Sequence, residues 1–133
     1  HRADFQSLVR NDIDVLFANE DELKSLYETE DFDEAVELLR RDCHIAAVTR
    51  SENGSVVVTR DDIHSVPAAP VARVVDTTGA GDLFAAGFLR GLTQGKDLTS
   101  CARIGAIAAA EVISHVGPRP LVSLASLLPA DLQ

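Results

Sequence analysis

The sequence contains no methionine, only two cysteines, and no apolar run approaching the roughly 20 residues that cross a bilayer. Its N-terminus, His1-Arg2-Ala3-Asp4, lacks the pattern of a signal peptide, so the expectation is a soluble, cytoplasmic protein with no membrane partner. Cys43 and Cys101 have no CxxC neighbour and sit in apolar surroundings, which predicts two buried, reduced thiols. His1, His44, His64 and His115 show neither HExxH spacing nor proximity to cysteine, so no transition-metal site is expected. Positive charge is also scarce. With 12 Lys+Arg against 21 Asp+Glu the net charge is -9, which argues against a broad phosphate-backbone surface and so against nucleic acid. A nucleotide is not excluded, because backbone N–H groups and magnesium can hold a triphosphate without a basic exterior. The missing methionine, and an opening that reads as the end of a polar helix, lead to the expectation of a fragment.

The 133 residues are 46% hydrophobic and 25% charged, a composition and length that suit one compact domain over residues 1–133. Ile13 to Ala18 reads as a strand that feeds a polar, acidic helix start at Asn19-Glu20-Asp21-Glu22. Leu23, Leu26 and Tyr27, then Phe32, Ala35, Val36, Leu38 and Leu39, continue at helical spacing. Ile45–Thr49, Gly54–Thr59 and Ile63–Val66 read as strands, with Asn53-Gly54 as the hairpin turn between the first two. Arg73-Val74-Val75 reads as a brief strand entering a glycine-rich loop, followed by helices near Asp82–Leu92, Asp97–Val116 and Leu121–Leu128. Strands alternating with helices predict an α/β fold, with a largely parallel sheet and an antiparallel edge. Ligands of such sheets collect at the carboxyl ends of strands, where the loops at Asn19 and Asp76 both fall.

The loop Asp76-Thr77-Thr78-Gly79-Ala80-Gly81-Asp82 carries the strongest chemical signal. Small residues between a strand and an apolar helix let backbone N–H groups and the helix dipole converge on an anion. Asp82 is out of place in a simple anion site, since its carboxylate repels phosphate. In a phosphoryl-transfer centre both features have work to do: the backbone stabilises the transferring group, and the carboxylate takes the proton of an attacking hydroxyl. A glycine turn with an aspartate that merely caps a helix is the plain alternative. Six fixed positions of this string arise by chance on the order of once in a hundred thousand chains this size, which favours the chemical reading. No Gly-Lys-Ser/Thr follows, so it is not a Walker A loop, and Phe84 occupies the third-glycine position of a dinucleotide fingerprint.

Asp76 to Gly91 closely resembles the C-terminal signature of the ribokinase-like (PfkB-type) carbohydrate and nucleoside kinases. That resemblance implies a partial, ribokinase-like three-layer α/β/α fold, with the N-terminal half and the small β lid of such kinases absent. It also implies Asp82 as catalytic base and the backbone of Gly79, Ala80 and Gly81 as the anion hole for a γ-phosphate. Asp76, Thr77, Thr78 and Gly117 would lie near a monovalent-cation (K+) site. Asn19-Glu20-Asp21-Glu22 resembles the family's Asn-x-x-Glu motif, so Asn19 and Glu22 would organise Mg2+ and phosphates, mainly through water. Thr49 to Gly54 stands where the family has Thr-x-Gly-x-x-Gly, which makes Thr49, Ser51 and Gly54 candidate ATP contacts, with Ser51 in place of the first glycine. Ala106 to Ala110 resembles the helix lining the adenine pocket. The run Ala109 to His115 looks most like bacterial members labelled adenosine or nucleoside kinases. The implied activity is ATP-dependent phosphorylation of an alcohol on a sugar or nucleoside, with a homodimer left open for the longer protein. A non-catalytic nucleotide-binding or assembly module is the alternative.

Overall fold

The computed structural model describes residues 15–71, 74–115 and 123–133. Its elements run β1 (Val15–Asn19), α1 (Glu20–Leu26), α2 (Phe32–Asp42), β2 (Ile45–Thr49), β3 (Ser55–Thr59), β4 (Ile63–Val66), α3 (Ala80–Thr93), α4 (Leu98–Ile113) and α5 (Leu124–Leu127). Short 3-10 turns occur at Ser51–Asn53 and Ala130–Leu132. The four strands form one mixed sheet in the order β1-β2-β3-β4. Internal contacts divide the described residues into two compact units, 15–50 with 55–65, and 51–54 with 66–71, 74–115 and 123–133.

In the first unit, β1 pairs with β2 in parallel from Val15↔Ile45 to Asn19↔Thr49, with α1 and α2 as the crossover between them. The β2–β3 pair is antiparallel, from Ile45↔Thr59 to Thr49↔Ser55. Helix α2 forms because Asp31 caps it, accepting from the backbone N–H of Asp33 and Glu34, while Arg40 and Arg41 complement the dipole at its far end. It buries Ala35, Val36 and Leu39 in a core shared with Leu16, Leu23, Val48 and Val58. Each such Val or Leu contributes about 1.5–3 kcal/mol relative to an exposed position. Helix α1 stops at a Schellman motif in which Glu28 takes the left-handed backbone at φ 53, Glu28 N–H reaches Ser25 O at 3.3 Å, and Thr29 N–H reaches Lys24 O at 3.0 Å.

The turn between β2 and β3 differs from the two-residue Asn53-Gly54 hairpin that its sequence resembles. Because Thr49 pairs with Ser55, residues 50–54 form the connection, closed by Gly54 N–H to Ser51 O at 3.1 Å. Positive φ falls at Ser51 (53) and Gly54 (89), not at Asn53 as a type I′ turn would demand.

The second unit is built on the close approach of α3 and α4. A Cβ added to Gly105 would lie 2.7 Å from Phe84 O, and one added to Gly87 would lie 2.9 Å from the Gly105 Cα. Gly87 and Gly105 are therefore there for packing, with Phe84 and Phe88 stacked at 6.3 Å between ring centroids. Asp97 caps α4 through Ser100 N–H at 2.7 Å, and the helix ends at Ile113; Val116, the expected end, lies outside the described residues. Beyond it, Leu128 and Leu132 pack with Ile104, beside the partly buried Ile107 and Leu124. The expected strand before the glycine loop is not formed at Val74 and Val75, which are 60% and 43% exposed; Arg73 lies outside the described residues. The backbone N–H groups of Val75 and Asp76 instead converge on one acceptor, Ile113 O, at 2.7 and 3.2 Å. A pair of valines becomes a strand only beside a ladder, and here the hydrogen bonds go to a helix end.

Candidate active site

Asn19 ends β1 and Thr49 ends β2, and the parallel register makes them partners at the carboxyl edge of the sheet. Asn19 is also the N-cap of α1: its Oδ1 accepts from Glu22 N–H at 2.8 Å, and Glu22 Oε1 accepts from Asn19 N–H at 2.9 Å. This reciprocal capping box uses one oxygen of each side chain. Glu22 Oε2 lies outside the box, on an exposed residue. The strand register and the cap thus bring Asn19, Glu22 and Thr49 together within the first unit.

A link that sequence reasoning missed joins the same two strand ends. Arg50, directly after Thr49, donates from Nε to Glu20 Oε1 at 2.7 Å, and Glu20 is the first residue of α1. The guanidinium carbon lies 3.9 Å from the centroid of the Phe32 ring, a cation–π contact. Lys24 Nζ holds the other oxygen, Glu20 Oε2, at 2.7 Å. Lys24 first and Arg50 second hold the Glu20 carboxyl below its ordinary value. The available signal was a basic residue following Thr49 and an acidic one following Asn19, which become neighbours only once β1 and β2 are paired.

Ser51 and Gly54 belong to the second unit and bracket one turn. Gly54 permits no substitute: its φ is 89, and a Cβ there would sit 2.1 Å from Val66 O. Ser51, in the position of a family glycine, holds a left-handed φ of 53 on an exposed residue. The backbone thus keeps a glycine-like conformation without the glycine.

The loop before α3 lies in the same unit as this turn. Asp76 Oδ1 accepts from Thr78 N–H at 2.9 Å, an Asx-turn that shapes the approach to the glycines. Thr77 O accepts from Ala80 N–H at 3.2 Å. Gly79 is the N-cap of α3 in the left-handed conformation, φ 81, so no side chain caps this 14-residue helix. Intrahelical bonding begins with Leu83 N–H to Gly79 O at 3.0 Å, and the N–H groups of Gly81 and Asp82, in the first turn, point outward along the axis. A Cβ added to Gly81 would meet nothing within 4 Å, so the backbone faces open space there. Asp82, also in the first turn, is exposed and beside those amides. Ala106 is half-buried on α4, about 10 Å along the axis from Ile113, whose carbonyl anchors Asp76. Gly117 lies outside the described residues.

Among the described residues, no group of three or more His, Cys, Asp or Glu side chains could hold a metal ion. None of their helices is long and apolar enough to cross a membrane. Cys43 and Cys101 are both buried and unpaired.

A mixed sheet with polar motifs at its strand ends, followed by a glycine loop at the head of a long helix, defines a partial ribokinase-like α/β fold. Comparison with solved structures agrees. The adenosine kinase from Sinorhizobium meliloti superposes with a TM-score of 0.92 at 56% identity, over 95% of this chain and 39% of that one. The Arabidopsis thaliana ribokinase, complexed with ribose and ATP, gives 0.76 at 29% identity, over 96% and 41%. Among curated sequences, the cytidine kinase of Thermococcus kodakarensis is 34% identical over 119 residues, 87% of this chain and 42% of the relative. Residues 1–124 match the pfkB family of carbohydrate kinases, and the chain belongs to that family. It spans less than half the length of these relatives.

Proposed function

We propose that this chain is the nucleotide-binding and catalytic part of an ATP-dependent kinase that phosphorylates an alcohol of a sugar or nucleoside. The observation that carries the reading is the start of α3. An uncapped helix N-terminus opens at Gly81 onto free space, with the Asp82 carboxylate exposed in the same turn. A bare anion site gains nothing from that carboxylate, whereas a kinase needs an acceptor for the hydroxyl proton. In the proposed step the acceptor oxygen bonds to the γ-phosphorus as the bond to the β–γ bridging oxygen breaks. ADP leaves, and the hydroxyl proton passes to Asp82. The backbone N–H groups of Gly79 and Gly81 would face the transferring oxygens, whereas that of Ala80 is turned to Thr77 O, so its expected place in the anion hole is not met by this backbone.

Thr49, Ser51, Gly54 and Ala106 are the proposed nucleotide contacts. Magnesium does not require a carboxylate cage, which the described residues do not form, because it keeps most of its waters and binds mainly through phosphates. Asn19 and Glu22 would orient those waters, and the ion would neutralise charge on the phosphates. Asp76 and Thr78 are the described part of the proposed potassium site, where Asp76 Oδ1 already serves the Asx-turn. Adenosine is the first acceptor to test, because the relative matched at 56% identity is an adenosine kinase; ribose is the second, from the Arabidopsis enzyme.

The test is a coupled ADP-release assay with adenosine, cytidine and ribose, on this chain and on the full-length gene product. Asp82→Asn should lower kcat by about 10²–10⁴-fold while ATP binding persists. Unchanged turnover in that variant would remove Asp82 from the chemistry. ATP binding with no turnover from the full-length protein would favour a non-catalytic nucleotide module.

A further inference from the structure

The Glu20–Arg50–Phe32 cluster is the strongest polar constellation that the proposed chemistry leaves without a role. Its parts come from three elements of the first unit: the first residue of α1, the residue after β2, and the first residue of α2. Arg50 and Glu20 meet at 2.7 Å with side chains 31% and 25% exposed, so the pair is only partly open to solvent. The Phe32 face, 3.9 Å away, restricts the guanidinium plane. A planar fork that is stacked and hydrogen-bonded at once is a rigid element.

Helix α1 needs such an element. It has only 7 residues, too few for a stable helix in isolation, so its placement depends on tertiary anchors. Leu23 and Leu26 supply anchors on its buried face. At its N-terminal end the capping box bonds Asn19 to Glu22 but is local to the helix. The Arg50–Glu20 bond is the side-chain tie from that end to the strand β2, next to Thr49.

We infer that Arg50 is a positioning residue: through Glu20 it holds the first turn of α1, and with it Asn19 and Glu22, in fixed relation to Thr49. This rests on the kinase reading above, because the function of the three positioned residues comes from it. Arg50 itself does not act on the phosphates. Its Nε is bonded to the Glu20 carboxylate, which it shares with Lys24, and its face lies over Phe32. The cluster sets how the magnesium–nucleotide complex is received rather than how the phosphoryl group moves.

The experiment uses the full-length gene product and the variants Arg50→Ala, Arg50→Lys, Glu20→Gln and the Arg50→Ala/Glu20→Gln pair. Arg103→Ala serves as control, since it removes an ion pair of similar length, 2.8 Å to Asp131, in the second unit. Arg50→Ala and Glu20→Gln should each raise the KM for MgATP by about tenfold, with kcat and the acceptor KM within about twofold. The double variant should be no worse than Glu20→Gln alone, because the Arg50 contact is already weakened there and the loss of the Lys24 pair is common to both. Arg50→Lys keeps the charge but loses the stacked fork, and should recover only part of the loss. A purely structural role would lower the Tm of the Arg50 variants while leaving the KM for MgATP at the wild-type value, which overturns the inference. Additive effects in the double variant overturn it as well. Absence of turnover in the wild-type protein is a separate result: it overturns the kinase reading and this inference with it.

Discussion

Ser51 offers the most direct test of the link between backbone geometry and nucleotide binding. It holds φ 53, a left-handed conformation in which a side chain collides with its own carbonyl. For a residue with a Cβ this costs about 1–2 kcal/mol relative to glycine. Replacing Ser51 by glycine relieves that cost, but the freer unfolded chain takes back about 0.5–1 kcal/mol. Ser51→Gly should therefore stabilise the protein by about 0.5–1 kcal/mol, a rise in Tm of about 2–5 °C for a chain of this size. Glu28 has the same φ of 53 at the end of α1 and is exposed, so Glu28→Gly should give a similar gain. The two differ in function. Removing the Ser51 side chain opens the turn to closer approach by a ligand, so the KM for ATP should fall in Ser51→Gly and stay constant in Glu28→Gly. Urea and thermal denaturation measure the first effect, and the coupled assay measures the second. Ser51→Ala is the internal check, expected within about 0.5 kcal/mol of wild type, because the strain belongs to any Cβ. A lower Tm in Ser51→Gly would refute the strain argument, and an equal change of KM in both glycine variants would refute the placement of the turn at the nucleotide.

Three other outcomes are expected. Gly105→Ala places a methyl 2.7 Å from Phe84 O and should cost about 1–3 kcal/mol by urea denaturation, since backbone on both sides must give way. Glu22→Gln keeps the capping box, because glutamine also serves at that position, yet removes the charge; Tm should hold while the magnesium dependence of turnover shifts to higher concentration. Burial pushes the Cys43 thiol up to about 11 from an ordinary value of 9.0, and raises Cys101 also. The folded state then holds protons that the unfolded chain releases, so this contribution to stability is intact below about pH 9 and is lost as pH rises through 11. Both thiols should resist a disulfide reagent at pH 8 until urea opens the fold; rapid labelling in the native state would contradict their burial.

Much of this architecture was legible before any coordinates, for reasons that are local. Helix α2 announces itself by Asp31 at its cap, acids in its first turn and apolar residues at helical spacing. Asn19-x-x-Glu22 is readable as a capping box from residue types alone. The failures arise where neighbours decide. Val74 and Val75 have strand propensity, but the N–H groups of Val75 and Asp76 find Ile113 O in place of a ladder. Asn53-Gly54 matches a two-residue hairpin, but the pairing of Thr49 with Ser55 leaves five residues to be turned. Arg50 and Glu20 are separated by 30 positions, and only the parallel register of β1 with β2 makes them meet.

The Asn19 segment shows why a structural reading and a functional one need not compete. A capping box occupies Oδ1 of Asn19 and Oε1 of Glu22, and in doing so freezes the rotamers of both side chains. That leaves the amide nitrogen of Asn19 and the second oxygen of Glu22 on fixed vectors at the carboxyl edge of the sheet. A water-mediated magnesium contact depends on such fixed vectors, because each added water multiplies any looseness in the group that holds it. The cap therefore supplies the preorganisation that a longer, unrestrained side chain would lack. The same logic applies at the other strand end, where the left-handed Ser51 and Gly54 set the path of the turn through backbone conformation instead of side-chain bonds. The Asn19 segment is thus held by side-chain hydrogen bonds, and the turn at 51–54 by φ angles. Perturbations should separate accordingly: charge variants act through Glu20, Glu22 and Arg50, whereas glycine and alanine exchanges act through residues 51–54.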